Sequence, residues 1–387
     1  MQQESVMRGF LSLKAGCTNA SSVPGGPWIG FGWHNDKRFR LMWNTTLRSP
    51  AYRFMAACLL VVGLSACSQS DTSAPSNADY DNPIAEQRAD PWIHRTHDGH
   101  YYFIATHPDF DRVVMREAGT INGLKTAEEK AVWRRPNEGE MGGHIWAPEL
   151  HRIDGVWYIH LAAGTSGEPF HIRMYVLSNP SENPMTGKWT VEGQIKTPWD
   201  DFALDATTFE HRGKRYLVWA QRNPEGDNNS SLWMAEMDGP ASITEPVIML
   251  SKPEFSWETV GYEVNEGAAV IKRHDRIFIT YSASATDHNY AMGLLWTNAD
   301  ADLMNPEKWR KSAEPVFYTN PELDRYGPGH NSFTLAEDGE ADLMVYHARN
   351  YKELKGSPLT DPNRHTRVRV LKWTEDGFPD FRQSTPD

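Results

Sequence analysis

Residues 264 to 281 read VNEGAAVIKRHDRIFITY. From Val270 the stretch is a hairpin pattern: an apolar run, a polar turn at His274-Asp275, and a return strand rich in β-branched and aromatic residues. Glu266 stands at the mouth of this element, between Asn265 and Gly267. A single glutamate in such a place is ordinarily a solvated loop residue. Its meaning therefore depends on whether the chain repeats the arrangement.

It does. Residues 90 to 104 read DPWIHRTHDGHYYFI, residues 146 to 160 WAPELHRIDGVWYIH, residues 205 to 219 DATTFEHRGKRYLVW, residues 266 to 280 EGAAVIKRHDRIFIT, and residues 330 to 346 HNSFTLAEDGEADLMVY. Each opens on a polar or aromatic residue, runs as a short strand, turns at a polar pair, and returns as an aromatic or β-branched strand. The openings at 90, 146, 205, 266 and 330 lie 56 to 64 residues apart. Five strand-rich units at this spacing predict an all-β chain, a five-bladed β-propeller over residues 85 to 387. The composition agrees: 29 Gly and 25 Pro punctuate the chain, and 15 Trp and 14 Tyr favour strands over long helices.

In a propeller the first strand of every blade lines the central axis. Asp90, Asp205, Glu266 and His330 are thus expected to share one pocket despite their separation in sequence. Three carboxylates crowded in a shielded site repel one another, which raises at least one pKa and suits one protonated acid beside one ionised base. The sequence carries no nucleophilic cysteine and no GxSxG-type serine motif. Paired carboxylates of this kind point to glycoside hydrolysis, with aromatic faces available for sugar rings.

The N-terminal part is read separately. Residues 54 to 66, FMAACLLVVGLSA, form a short apolar core behind Arg48 and Arg53. Thirteen residues fall short of the ~20 that span a bilayer. The junction Leu64-Ser65-Ala66-Cys67 resembles a bacterial lipobox, so residues 42 to 66 are expected to be a lipoprotein signal peptide and Cys67 the lipidated first residue of an exported chain. Residues 67 to 84 read as a polar, disordered tether. Residues 1 to 41 precede a well-proportioned signal that opens at Met42, which points to a misassigned start. Cys17, Cys58 and Cys67 are the only cysteines, leaving no disulfide or thiolate metal site in the mature body. The first 66 residues hold seven Lys/Arg and two Asp/Glu; the rest keeps 32 against 49, a net charge of −17. That excludes nucleic acid as a partner, leaves membrane contact to the lipid anchor alone, and is compatible with a neutral substrate.

Several stretches bear a resemblance. Ala89-Asp90-Pro91-Trp92-Ile93, Ile145-Trp146-Ala147-Pro148-Glu149-Leu150-His151, Leu204-Asp205-Ala206-Thr207-Thr208-Phe209, Val264-Asn265-Glu266-Gly267, Tyr326-Gly327-Pro328-Gly329-His330-Asn331-Ser332-Phe333 and Asp361-Pro362-Asn363-Arg364-His365-Thr366-Arg367 occur in that order. The chain from about residue 85 to its end resembles glycoside hydrolase family 43, and within it the extracellular exo-acting α-L-arabinofuranosidases. The resemblance implies a five-bladed propeller and an inverting mechanism on an arabinose-containing oligo- or polysaccharide. In it Asp90 would be the general base, Glu266 the general acid, and Asp205 the residue that orients Glu266 and keeps its pKa high. Inversion implies carboxyls about 6.5–9.5 Å apart. Arg364 matches an arginine that touches the substrate or the carboxylates, with Arg367 and Arg369 close enough for the assignment to slip. His330 would bind substrate, face a calcium ion near the axis directly or through water, or plug the channel. Calcium prefers oxygen ligands, and the chemistry itself requires no cofactor. Trp92 and Trp146 are candidates for sugar stacking. Ala268 stands where relatives often have Pro. A β-xylosidase or an endo-arabinanase of the same family, and a non-catalytic carbohydrate-binding propeller, remain the alternatives.

Overall fold

The computed structural model describes residues 74–387 apart from Asp227. The expected signal peptide, the lipobox cysteine Cys67 and residues 1 to 41 all lie outside the described residues. Among the described residues the one α-helix is the single turn Gly123–Thr126, and strands form nearly everything else.

Five antiparallel sheets follow one another in sequence. Blade 1 holds Ala89–Arg95, Tyr101–Thr106, Arg112–Ala118 and Lys130–Arg134. Blade 2 holds Ile145–Ile153, Val156–Thr165, Glu168–Asn179 and Thr190–Gln194. Blade 3 is built from Ala203–His211, Lys214–Gln221 and Ser231–Gly239, with Ser242–Ile243 and Ile248–Ser251 both pairing to its third strand. Blade 4 consists of Asn265–Arg273, Arg276–Ala283, Ala291–Asn298 and Arg310–Lys311, and blade 5 of Tyr326–Leu335, Asp342–Arg349 and His365–Val370. The first strands touch in a closed ring, blade 1 against 2, 2 against 3, 3 against 4, 4 against 5, and 5 against 1. The architecture is a five-bladed β-propeller, and the five hairpins read from the sequence are its inner hairpins.

The cores lie between blades. Tyr102, Ile104 and Met115 of blade 1 pack on Leu150, Trp157 and Ile159 of blade 2, for example. Each fully buried side chain of this size contributes about 1.5–3 kcal/mol. The hairpins of blades 2, 3 and 4 close through two-residue turns at Asp154-Gly155, Arg212-Gly213 and His274-Asp275, all six residues with positive φ. That twist matches the strands on either side.

One device recurs in all five blades. On its way off the axis each first strand carries an extra residue at a shared position, a β-bulge, and the first strand of blade 5 carries a second one between Tyr326 and Gly329. The extra residue at the shared position has positive φ in every case: Asp90 (54°), Ala147 (44°), Asp205 (56°), Gly267 (57°) and His330 (43°). A bulge breaks the two-residue alternation and re-aims side chains near it. It also corrects the register taken from the sequence. Asp90, Asp205 and His330 are structurally equivalent, but Glu266 and Trp146 sit one residue before their blades' equivalents, Gly267 and Ala147. The three carboxylates come from two adjacent registers, and not from one as the openings suggested.

The tether expected over 67 to 84 also needs correction in its described part. Tyr80 and Ile84 are buried in the core between blades 5 and 1. The Ile84 N–H donates to the Thr366 carbonyl (2.9 Å), and the Thr366 N–H to the Ala85 carbonyl (2.8 Å). The Asn82 side chain clasps both the N–H and the carbonyl of Val368, and Asn77 accepts from the Val370 N–H. Residues 77–85 thus cover the open edge of three-stranded blade 5. Polar composition hid this, because the anchoring is done by asparagine amides and only two large apolar side chains.

Candidate active site

The bulges turn Asp90, Asp205 and His330 into one buried cluster at the axis. The His330 imidazole lies between the two aspartates, with Nδ1 at 3.2 Å from Asp90 Oδ1 and 3.9 Å from Asp205 Oδ2. Gly267 makes this possible in two ways. Its N–H donates to Asp205 Oδ2 (3.0 Å), tying Asp205 to the residue next to Glu266. A Cβ on it would also stand 2.9 Å from the His330 ring, so only glycine lets the imidazole pass.

Asp90 is held by more donors than any other group of the cluster. Thr106 Oγ1 donates to its Oδ2 (2.6 Å), Arg364 Nη1 to its Oδ1 (3.3 Å), and its own N–H donates to His347 Nδ1 (3.0 Å). Thr106 Oγ1 in turn accepts from the Ala147 N–H, linking the bulges of blades 1 and 2. Burial alone would raise the Asp90 pKa. The Arg364 guanidinium, followed by His330, His347 and Thr106, more than offsets this and holds the carboxyl far below its usual range. Asp90 is ionised throughout the physiological range.

Glu266 lies in the opposite environment. Its Oε1 accepts from the Tyr290 hydroxyl at 2.9 Å. Burial is the largest influence on its acidity and pushes the pKa up to about 7; Asp90 adds to this, while Tyr290 and Arg364 work against it. Asp205 is raised well above its usual value as well, by burial first and then by Glu266 and Asp90. Asp205 feels the charge of Glu266, so the two carboxyls titrate as a linked pair. Among the described residues no hydrogen bond joins Asp90 to Glu266. The site offers an ionised carboxylate and, across the axis, a carboxyl that keeps its proton near neutrality.

A cavity of about 370 Å³ opens beside Asp90. Its walls include Thr106, Phe110, His144 and Arg364, with Leu359 to Pro362 of the long blade 5 loop on the far side. Trp146 belongs to an aromatic cluster at this edge, stacked on His144 (5.1 Å, 29°) and within 6.0 Å of Phe110 and 6.1 Å of the exposed Phe170. Trp92 is placed elsewhere. Its indole N–H donates to the Leu150 carbonyl (2.8 Å) and its ring packs on His151 at 4.7 Å, so it joins blades 1 and 2 and is no sugar platform. Two residues on in the strand from Asp90, it has left the bulge for the blade interface. The arginine ambiguity resolves too. Arg364 reaches Asp90, whereas Arg367 and Arg369 bind Asp387.

Sequence reading missed Thr106, Ser282, Tyr290 and His347. Ser282 Oγ accepts the His330 N–H at 2.7 Å. Thr106, Ser282 and His347 are polar residues near the ends of otherwise apolar second strands, YYFIAT, RIFITYSA and DLMVYHAR, and that contrast was the available signal. Glu149, quoted in the second unit without a role, is buried and bonded to His151 Nε2 (3.0 Å).

The oxygens around His330 do not suit a directly ligated calcium. Calcium takes six to eight oxygen ligands. Those of Asp90 already bind Thr106 and Arg364, and Asp205 accepts from Gly267. The one group of three possible metal ligands among the described residues, His107, Asp109 and Asp111, lies on the loop after the second strand of blade 1. There Arg112 pairs with both carboxylates.

Comparison with known proteins agrees with this geometry. The sequence profile of the "Glycosyl hydrolases family 43" matches residues 80–379. The chain is 52% identical over 340 residues to an "Extracellular exo-alpha-(1->5)-L-arabinofuranosidase" of Streptomyces avermitilis, covering 88% of this chain and 70% of that protein. It is 52% identical over 329 residues to "Alpha-L-arabinofuranosidase 43" of Humicola insolens, covering 85% and 68%. The crystal structure of an alpha-L-arabinofuranosidase from Lactobacillus brevis superposes with a TM-score of 0.79 at 49% identity, over 81% of this chain and 99% of that one.

Proposed function

The chain belongs to glycosyl hydrolase family 43, and from that premise we propose that it is an inverting, exo-acting α-L-arabinofuranosidase. It releases terminal arabinofuranosyl residues from arabinan or arabino-oligosaccharides, the activity its relatives at 52% identity are named for. The observation that carries the mechanism is the contrast in surroundings: Asp90 is paired with Arg364, whereas Glu266 accepts a hydrogen bond from the neutral Tyr290 hydroxyl. Asp90, kept ionised by Arg364, acts as general base and takes a proton from the attacking water. Glu266, with its pKa near 7, acts as general acid and protonates the departing glycosidic oxygen. Asp205 supports Glu266 through the Gly267 N–H and through its negative charge near the acid.

Trp146 and its aromatic neighbours provide an apolar face for the sugar chain. A calcium ion near the axis, if held, would have to be held through water from His330. Export fits the word "extracellular" in the names of both Streptomyces relatives. Anchoring through a lipid on Cys67 is our reading of the LSAC junction; replacing Cys67 with Ser should release the protein from membrane fractions. The function itself is tested with linear α-(1→5)-arabino-oligosaccharides. Arabinose should be the sole early product, appearing first as the β-anomer by proton NMR. Larger early products, or an α-anomer, would sink exo action or inversion respectively, and preferential hydrolysis of an aryl β-xylopyranoside would favour the β-xylosidase alternative.

A further inference from the structure

Tyr290 is not part of the carboxylate cluster, yet it is buried beside it, and its hydroxyl meets Glu266 Oε1 at 2.9 Å. Its ring is held on two sides. It lies parallel to the His347 imidazole, centroids 5.8 Å apart and planes 4° apart. His347 is itself pinned, because its Nδ1 accepts the backbone N–H of Asp90 at 3.0 Å. The ring also rests against the backbone at Gly329, where an added Cβ would stand 2.4 and 2.5 Å from two ring carbons. Gly329 precedes His330, which contacts Asp90 from the other side. One continuous arrangement thus runs from Glu266 through the phenol and the stacked imidazole to the backbone of Asp90.

We propose that Tyr290 is a positioning residue for the acid, fixing the Glu266 carboxyl relative to Asp90 and selecting which of its oxygens carries the proton. The phenol donates to Oε1, so the acidic proton resides on Oε2, the oxygen left to face the leaving group. As that proton moves to the glycosidic oxygen, negative charge develops on the carboxylate, and the hydrogen bond from Tyr290 strengthens with it. The contact therefore acts in the transition state more than in the ground state, and its loss lowers kcat more than it raises KM. This inference rests on the reading of Glu266 as the acid and Asp90 as the base.

Tyr290→Phe removes the hydroxyl and keeps the ring, its stack and its slot. The expected result is an about tenfold fall in kcat on arabinobiose with KM little changed, the scale of one lost hydrogen bond. On 4-nitrophenyl α-L-arabinofuranoside, whose leaving group needs little protonation, the rate should stay close to that of the parent. The alkaline limb on arabinobiose should move to higher pH, since a donor favouring the ionised acid has gone. Gly329→Ala, which drives the ring from its slot while keeping the phenol, should reproduce the same leaving-group dependence. Equal losses on both substrates, or no change on either, would overturn the role of Tyr290. Glu266→Ala, measured alongside, separates the two levels. If it shows strong leaving-group dependence while Tyr290→Phe shows none, the positioning inference alone fails. If Glu266→Ala loses both substrates equally, the acid assignment falls and takes the inference with it.

Discussion

Asp90 and Glu266 carry the same functional group and differ in protonation because Arg364 sits on Asp90, whereas Glu266 is raised by burial and by the Asp90 charge against the opposing pull of Tyr290 and Arg364. Asp205 is the third party, and its part can be isolated. Asp205 and Glu266 repel each other when both are ionised, so the alkaline limb of the rate profile reports the linked pair. Asp205→Asn removes one charge and keeps an acceptor for the Gly267 N–H. With repulsion gone, Glu266 becomes a stronger acid, so the limb should move to lower pH. A pH series of kcat/KM on arabinobiose reads this directly, and an unmoved limb would mean that the Asp205 charge does not act on Glu266. The carboxylates were legible in the sequence because acids at the openings of repeated units are conspicuous. Tyr290 and His347 were not. Their roles depend on which residue faces which across a ladder and between blades, and no spacing in a single chain states that.

At the scale of the element the bulge is decisive. Without the extra residue, side chains near the axis would alternate strictly, and Glu266 could not be offset by one position from Asp90 and Asp205 and still join them. The offset is hidden in the sequence because the conspicuous residues of blades 2 and 4, Trp146 and Glu266, stand one before the small bulge residues Ala147 and Gly267. Counting back from the turns would have exposed it, since Ala147, Asp205 and Gly267 each lie seven residues before their two-residue turns at 154, 212 and 274. Blades 1 and 5 have longer hairpin loops and break that count. Gly267 is the most constrained of the five bulge residues, by its φ of 57° and by the His330 ring 2.9 Å from where a Cβ would be. Gly267→Ala should strain the backbone by about 1 kcal/mol and push the imidazole from between Asp90 and Asp205. We expect modest loss of thermal stability with a fall in kcat of at least tenfold on aryl and natural substrates alike. A variant with parental kcat would show that the fit of His330 against Gly267 has no bearing on catalysis.

For the whole molecule, the repeat and the blade count were written in the sequence, while the closure of the ring and the buried polar groups were not. Two histidines, the buried His160 and the half-buried His94, give the fold an acid weakness. Burial lowers His94 and His160 to about 4, so they stay neutral in the folded state while the unfolded chain protonates them near 6.5. The unfolded state then binds more protons between about pH 4 and 6.5, and stability falls as pH drops through that window, by up to about 3 kcal/mol for each. Melting temperatures at pH 7 and 4.5 should differ accordingly, and His160→Gln should narrow the gap. Ring closure gives the last prediction. Blade 5 has three strands, and the edge of its third, His365–Val370, is covered by residues 77–85. The strand so covered begins one residue after Arg364, the cation that keeps Asp90 ionised. A chain starting at residue 86 loses the burial of Tyr80 and Ile84, each worth about 1.5–3 kcal/mol, together with the Asn77 and Asn82 clasps. It should melt several degrees below a chain starting at residue 74, and its acidic limb should move to higher pH as Arg364 loosens from Asp90 and the base becomes easier to protonate. Equal melting temperatures and superimposable pH profiles for the two chains would show that blade 5 holds Arg364 without help from the segment in front of blade 1.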